Sequence, residues 1–71
     1  MKNLNKVESL YAQAMSLRTQ GQSQRAYALC EEILKLAPKQ ADTLSLMGII
    51  LGENNQAIFA LDFFNKALEI K

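Results

Sequence analysis

Residues 10–38 of the chain read LYAQAMSLRTQGQSQRAYALCEEILKLAP, and residues 44–71 read LSLMGIILGENNQAIFALDFFNKALEIK. When the two stretches are aligned from their first residues, five positions are identical. The identical pairs are Leu10 and Leu44, Leu17 and Leu51, Gln22 and Gln56, Ala26 and Ala60, and Leu34 and Leu68. Neighbouring positions agree in character as well, which favours two copies of one structural unit.

Apolar residues recur at spacings of three and four within each unit, which is typical of amphipathic helices. No segment alternates with period two, and good helix formers dominate, so strands are not expected. The first helix carries Val7, Leu10, Tyr11, Ala14 and Leu17, and the second Ala26, Tyr27, Cys30, Ile33 and Leu34. The third carries Ala41, Leu44, Met47, Gly48 and Leu51, and the fourth runs from about Ala57 to the end.

Two residues predict where the first two helices begin. Asn5 is followed three residues later by Glu8, a spacing that fits a capping box at the start of the first helix. Ser23 can cap the second helix, because its hydroxyl can accept a hydrogen bond from an exposed backbone N–H.

Three further signals predict the helix ends. Gly21 supplies a left-handed residue after the first helix, and Pro38 marks where the second must already have ended. Asn54–Asn55 is expected to end the third helix with a left-handed residue, as Gly21 ends the first, since asparagine tolerates a positive φ. The sequence therefore predicts an all-α fold of two helical hairpins.

The composition excludes several classes of function. The chain has 71 residues with a net charge of +1, so no broad positive field favours nucleic acid or acidic membranes. It holds one cysteine, Cys30, and no histidine, so neither an internal disulfide nor a metal site is expected. No catalytic or cofactor-binding residues are indicated: histidine is missing, the glycines are isolated, and Cys30 lies on an inner helix face.

Membrane and targeting signals are weak. The longest mainly apolar stretch, Leu44 to Gly52, is less than half of the roughly 20 residues that a transmembrane helix needs. The basic start of the chain lacks the apolar run of a signal peptide. A soluble, cytoplasmic protein is the resulting expectation.

The repeated pattern resembles the tetratricopeptide repeat (TPR), a helix–turn–helix unit whose period matches the offset between the two stretches. The matching residues of the first copy are Leu10, Ala14, Leu17, Ala26, Cys30, Ile33, Leu34 and Pro38, and those of the second are Leu44, Gly48, Leu51, Ala60, Phe64, Ala67 and Leu68. The resemblance covers residues 7–71, with repeat one at about 7–40 and repeat two at about 41–71. Gln13 in a usually apolar place, and Cys30 in a usually aromatic one, depart from the family pattern.

The resemblance implies two stacked antiparallel helix pairs in a right-handed superhelical solenoid, and a role in binding proteins. The first helix of each repeat would line a groove for a peptide or helix of a partner. Groove residues would be Tyr11, Met15, Arg18, Thr19, Ser45, Ile49 and Gly52. The alternative is that Tyr11, Met15 and Ile49 pack against a neighbouring element.

Some members of the family hold a peptide's terminal carboxylate with lysine and asparagine side chains in this groove. The present chain has Tyr11, Met15 and Leu46 where such a clamp would begin. We therefore expect no carboxylate clamp.

The last helix predicts association with another molecule. Ala57, Ala60, Leu61, Phe64, Ala67 and Leu68 are expected to face the interior, which leaves Phe59, Phe63 and Ile70 along one flank. The equivalent flank of the first repeat should be covered by the third helix, but nothing in this chain follows to cover the second. We therefore expect a homo-oligomer, such as a dimer, formed through these three residues, or further repeats in a longer parent protein.

Three other interpretations remain open at this point. The chain could be the TPR segment of a larger enzyme, such as a glycosyl- or sulfotransferase, and guide its substrate protein. A helix–turn–helix nucleic-acid binder would need a basic recognition helix, whereas the second helix balances Arg25 and Lys35 against Glu31 and Glu32. A generic four-helix bundle would leave the internal repeat unexplained.

Overall fold

A computed structural model describes the backbone of residues 2–70 and the side chains of residues 6–70. The described chain is all-helical and contains no strand, as the sequence predicts. Its helices are α1 (Lys2–Thr19), α2 (Ser23–Leu36), α3 (Ala41–Glu53) and α4 (Ala57–Ile70). The predicted bounds of α3 and the predicted start of α4 are confirmed, and the predicted end of α4 at Lys71 lies outside the described residues.

The predicted starts of the first two helices are wrong. α1 begins at Lys2, so Asn5 lies inside the helix and cannot be its N-cap, and the side chain of Asn5 is outside the described residues. α2 begins at Ser23, and the N-cap position belongs to Gln22, whose side chain makes no capping hydrogen bond. Ser23 is therefore the first residue of α2 and not its cap.

The turns within the two hairpins have the same backbone geometry. Gly21 has φ of +82°, and Asn55, at the equivalent position of the second repeat, has φ of +65°, so the prediction for the asparagine is confirmed. The N–H of Gln22 donates to the carbonyl of Leu17 (2.8 Å), and the Gln56 N–H donates to Leu51 (2.9 Å). Together with the bonds from the N–H groups of Gly21 and Asn55, this is the Schellman arrangement that ends a helix at a left-handed residue.

The two hairpins stack side by side through α3. α1 packs against α2 and α3 against α4, while α3 also contacts α2 and, to a smaller extent, α1. Within the described residues α1 and α4 do not contact each other, as they would in a closed four-helix bundle. The arrangement is an open stack of two helix pairs, with α1 and α3 in one layer and α2 and α4 in the other.

Apolar side chains of α3 fill the space between the hairpins. Leu46, Met47 and Ile50 are buried and pack against the small residues Ala14 and Ala26, where α1 crosses α2. Partly buried side chains surround this cluster: Tyr11, Leu17, Tyr27, Leu29, Leu34 and Phe63. The main core therefore lies between the repeats as well as within them.

The orientation of α4 differs from the prediction. Ala60 and Ala67 are buried as expected, but Leu61 is 61% exposed and Leu68 is 71% exposed. Phe63, predicted to be free, is partly buried and packs against both core clusters. The helix turns its two alanines toward α3 because only small side chains fit at that crossing, and the larger leucines are carried outward.

The α3–α4 hairpin closes over Gly48. A Cβ atom at this position would lie 2.7 Å from the Phe64 ring, too close for the ring to stay in place. The equivalent positions of the first repeat hold Ala14 and Cys30, which are both buried. Each repeat thus pairs a small residue on its first helix with a partner of complementary size on its second.

We expect Gly48→Ala to destabilise the fold by about 1 kcal/mol, since displacing the Phe64 ring outweighs the better helix propensity of alanine. In a Phe64→Cys background the same substitution should stabilise, because the ring is gone. Urea denaturation of the four chains at one protein concentration measures this coupling.

Gly52→Ala is the matched control. A Cβ atom there would lie 3.9 Å from the Cβ of Ala60, an ordinary contact, so the substitution should stabilise by about 0.5–1 kcal/mol. Equal effects of the two glycine substitutions would contradict the proposed clash at Gly48.

Candidate functional site

The surface that α1 and α3 share, here called the α1–α3 face, contains most of the predicted groove residues. α1 and α3 occupy one layer, and each helix turns one side away from α2 and α4. Side chains on this outer side belong to Tyr11, Met15, Arg18, Thr19, Ser45, Ile49 and Glu53.

The centre of the α1–α3 face is apolar. Met15 is 39% exposed and Ile49 is 38% exposed, and the two residues occupy equivalent positions of the two repeats. Isolated exposed hydrophobic residues are common, but two at the same position of neighbouring repeats form the start of a continuous strip. The strip thus presents two apolar side chains to solvent on this face.

An ion pair closes one end of the face. The Arg18 guanidinium donates two hydrogen bonds to the Glu53 carboxylate, from Nε to Oε1 at 3.1 Å and from NH2 to Oε2 at 2.6 Å. Because the residues belong to α1 and α3, this fork joins the first helices of the two repeats. The hydrogen bond from Arg18, with its positive charge, lowers the pKa of the Glu53 carboxyl, and the bond to Glu53 raises the pKa of Arg18.

The other end of the face is polar. Tyr11 and Ser45 are both partly buried there. Burial raises the pKa of the Tyr11 hydroxyl, and the negative charge of Asp42 adds to the effect. The phenol therefore stays protonated at neutral pH and can donate a hydrogen bond to a peptide carbonyl.

Some predicted residues do not line this face in the expected way. A Cβ atom on Gly52 would point toward Ala60 of α4, so this glycine lies on the flank of α3 that faces its partner helix. Thr19 is exposed, and its hydroxyl donates to the carbonyl of Met15 at 2.9 Å. Leu46, which stands where a carboxylate clamp would begin in the family, is buried between the repeats.

The predicted association patch on α4 is not a single surface. Phe63 packs edge-on against Tyr27 of α2, with ring centroids 6.5 Å apart, and the ammonium of Lys66 lies 5.2 Å from the ring centroid. The flank that holds Phe63 therefore faces the first repeat. Phe59 is 61% exposed and Ile70 is 39% exposed on that flank. They lie on either side of Phe63, which already packs against Tyr27.

A depression that the sequence did not indicate lies beside the hairpin turns. It has a volume of about 830 Å³ and is lined by residues of the first turn, α2, α3 and the second turn, among them Gln24, Arg25, Tyr27, Asn54 and Gln56. The depression arises where the two hairpins splay apart, so only the stacking of the repeats creates it. It is wide open to solvent, unlike the clefts that bury most of a small ligand.

The described residues provide little for other chemistry. Cys30 is buried, and burial raises the pKa of its thiol to about 11, which keeps it protonated and unreactive at neutral pH. Residues 6–70 contain no cluster of acidic or cysteine side chains that could hold a metal ion. In the described chain, no helix combines the length and the apolar character needed to cross a membrane.

No protein-family model matches this sequence.

The Arg18–Glu53 pair predicts the titration of Glu53. Its carboxyl pKa, measured by ¹³C NMR, should lie below the ordinary glutamate value and rise toward it in Arg18→Gln. A depressed carboxyl pKa stabilises the fold above the unfolded-state pKa of about 4.3, and this contribution is lost as pH falls through the folded-state value. Glu53→Gln should therefore lose less stability than the parent over this acidic range.

Arg25→Gln is the control for this titration, because Arg25 bonds to the side chain of Gln22 rather than to an acid. It should leave the Glu53 pKa unchanged. An unaltered Glu53 titration in Arg18→Gln would show that the ion pair does not form in solution.

Proposed function

We propose that this chain is a TPR-type protein-interaction module whose α1–α3 face binds a peptide or helix of a partner protein. The observation that carries the proposal is the exposed pair Met15 and Ile49, held at equivalent positions of two stacked repeats. The equivalent placement of the two Schellman turns, around Gly21 and Asn55, supports the assignment to this repeat type.

The chemistry of the face indicates the kind of peptide that fits. Two apolar positions suit large aliphatic or aromatic side chains, and the Tyr11 hydroxyl suits a backbone carbonyl. Arg18 and Glu53 neutralise each other, so their end of the face has no strong attraction for a charged segment. Because the strip is short, we expect affinities typical of small, transient interfaces.

Selection of binders from a displayed library of random peptides tests this proposal. Peptides that bind the parent chain should bind Met15→Gln and Ile49→Gln at least about tenfold more weakly, a difference of about 1.4 kcal/mol per residue. Lys35→Gln, on the exposed side of α2, is the control and should bind like the parent. Circular dichroism establishes that the variants remain folded.

Peptides whose binding is unaffected by both α1–α3 substitutions would place the binding surface elsewhere. Failure to select any peptide from a well-folded parent chain would count against the proposal as a whole.

The absence of lysine and asparagine at the predicted clamp positions gives a second expectation. Amidation of the C-terminal carboxylate of a selected peptide should change its dissociation constant less than about twofold. The reason is that no lysine or asparagine side chain occupies the clamp positions to donate hydrogen bonds to that carboxylate. A loss of binding on amidation, measured by isothermal titration calorimetry, would show that the face does recognise a terminal carboxylate.

A further inference from the structure

α4 presents a row of exposed side chains on the side that points away from α3 and from the first repeat. The row, here called the α4 row, consists of Ile58, Leu61, Asn65 and Leu68. Ile58 is 84% exposed, Leu61 61% and Leu68 71%, and Asn65 is also exposed. Spacings of three, four and three residues place these side chains in one line along the helix.

The first repeat shows what this surface is suited for. Tyr27 and Leu34 occupy the positions of the first repeat that are equivalent to Leu61 and Leu68. Tyr27 is partly buried and packs edge-on against Phe63, and Leu34 is partly buried against the cluster that contains Ala41, Leu44 and Ala67. Leu61 and Leu68 of the α4 row therefore match the positions at which the first repeat packs against the second. On α4 these positions are exposed.

A head-to-tail stack of identical chains does not suit the α4 row. In such a stack α1 of a second copy would take the place that α3 takes on α2. The α1 residues equivalent to the inserted side chains Leu46, Met47 and Ile50 are Ala12, Gln13 and Ser16, which are small or polar. This side of α1 therefore lacks the large apolar side chains needed to fill a neighbour's surface.

The pattern of the row suits the same row of a second copy. Ile58 and Asn65 fall at a positions of a heptad, and Leu61 and Leu68 fall at d positions. Isoleucine at a with leucine at d favours two parallel strands, and a single asparagine at a fixes register because the two amides can pair with each other. An antiparallel pairing would instead set Asn65 against Leu61 of the other helix.

Charge favours the same orientation. Asp62 and Glu69 lie along one edge of the row at e positions, and Ala57 and Phe64 lie along the other at g positions. In a parallel pair each acidic edge faces the uncharged edge of the partner helix. In an antiparallel pair the two acidic edges would face each other, which is unfavourable.

We propose that two copies of this chain associate about a twofold axis, with their α4 helices parallel and packed through Ile58, Leu61, Asn65 and Leu68. The three apolar residues expose on the order of 400 Å² per copy, about half of the ~800 Å² per partner of a standard stable interface. The dimer is therefore weak and forms at high protein concentration. This surface is distinct from the α1–α3 face, so both can be occupied together.

Sedimentation equilibrium of the full chain, without peptide, tests the association. The parent should pass from monomer to dimer, and no further, as its concentration rises into the high micromolar range. Leu61→Gln should raise the dissociation constant at least about tenfold. Phe59→Gln is the matched control, because Phe59 is also 61% exposed but lies on the other flank of α4, and it should dimerise like the parent.

Oxidative cross-linking tests the orientation. In a parallel pair each residue of the α4 row lies close to the same residue of the other copy. Ile58→Cys alone and Leu68→Cys alone should therefore each give a disulfide-linked dimer. The parent, whose Cys30 is buried, should not cross-link under the same conditions.

Three results would overturn the proposal: a monomer at every concentration, a mass that grows beyond the dimer, or cross-links only in mixtures of the two cysteine variants. None of these results depends on peptide binding, so they leave the proposed role of the α1–α3 face to be judged separately.

Discussion

The packing of α3 against the first hairpin is the interaction on which the rest of the molecule depends. Three side chains of α3 are buried where α1 crosses α2, namely those of Leu46, Met47 and Ile50. The burial of each stabilises the fold by about 1.5–3 kcal/mol. A domain of this size has a small core, so the loss of these contacts would separate the hairpins. With α3 in place, the first helices of both repeats lie side by side.

This single packing event produces the features proposed to carry function. It brings Met15 and Ile49 onto one surface and lets Arg18 reach Glu53, although the members of each pair belong to different repeats. It also makes the two ends of the stack unlike. The side of α1 that carries Ala12, Gln13 and Ser16 has small or polar side chains, whereas α4 exposes isoleucine and leucine side chains. We propose that association takes place through α4.

The helices and their ends could be predicted well because they follow from local chemistry. The left-handed conformation at Asn55 follows from its match to Gly21, and α3 begins and ends, and α4 begins, where the periodicity predicts. The starts of α1 and α2 could not be predicted from capping residues, since a cap contributes only about 1 kcal/mol and α2 begins without a side-chain cap. The face of α4 was misassigned because Leu61, Phe63 and Leu68 are equally apolar, and hydrophobicity alone does not rank them.

The sequence by itself determined the two-hairpin design: the internal repeat, the small residues at helix crossings and the left-handed turn residues are local or short-range requirements. Only the tertiary structure decided how α4 is rotated. The close contact of Phe64 with Gly48 and the packing of Phe63 on Tyr27 turn Leu61 and Leu68 toward solvent. Which apolar side chains remain free for a partner depends on contacts between helices from different repeats, and such contacts have no signature in the spacing of a single helix.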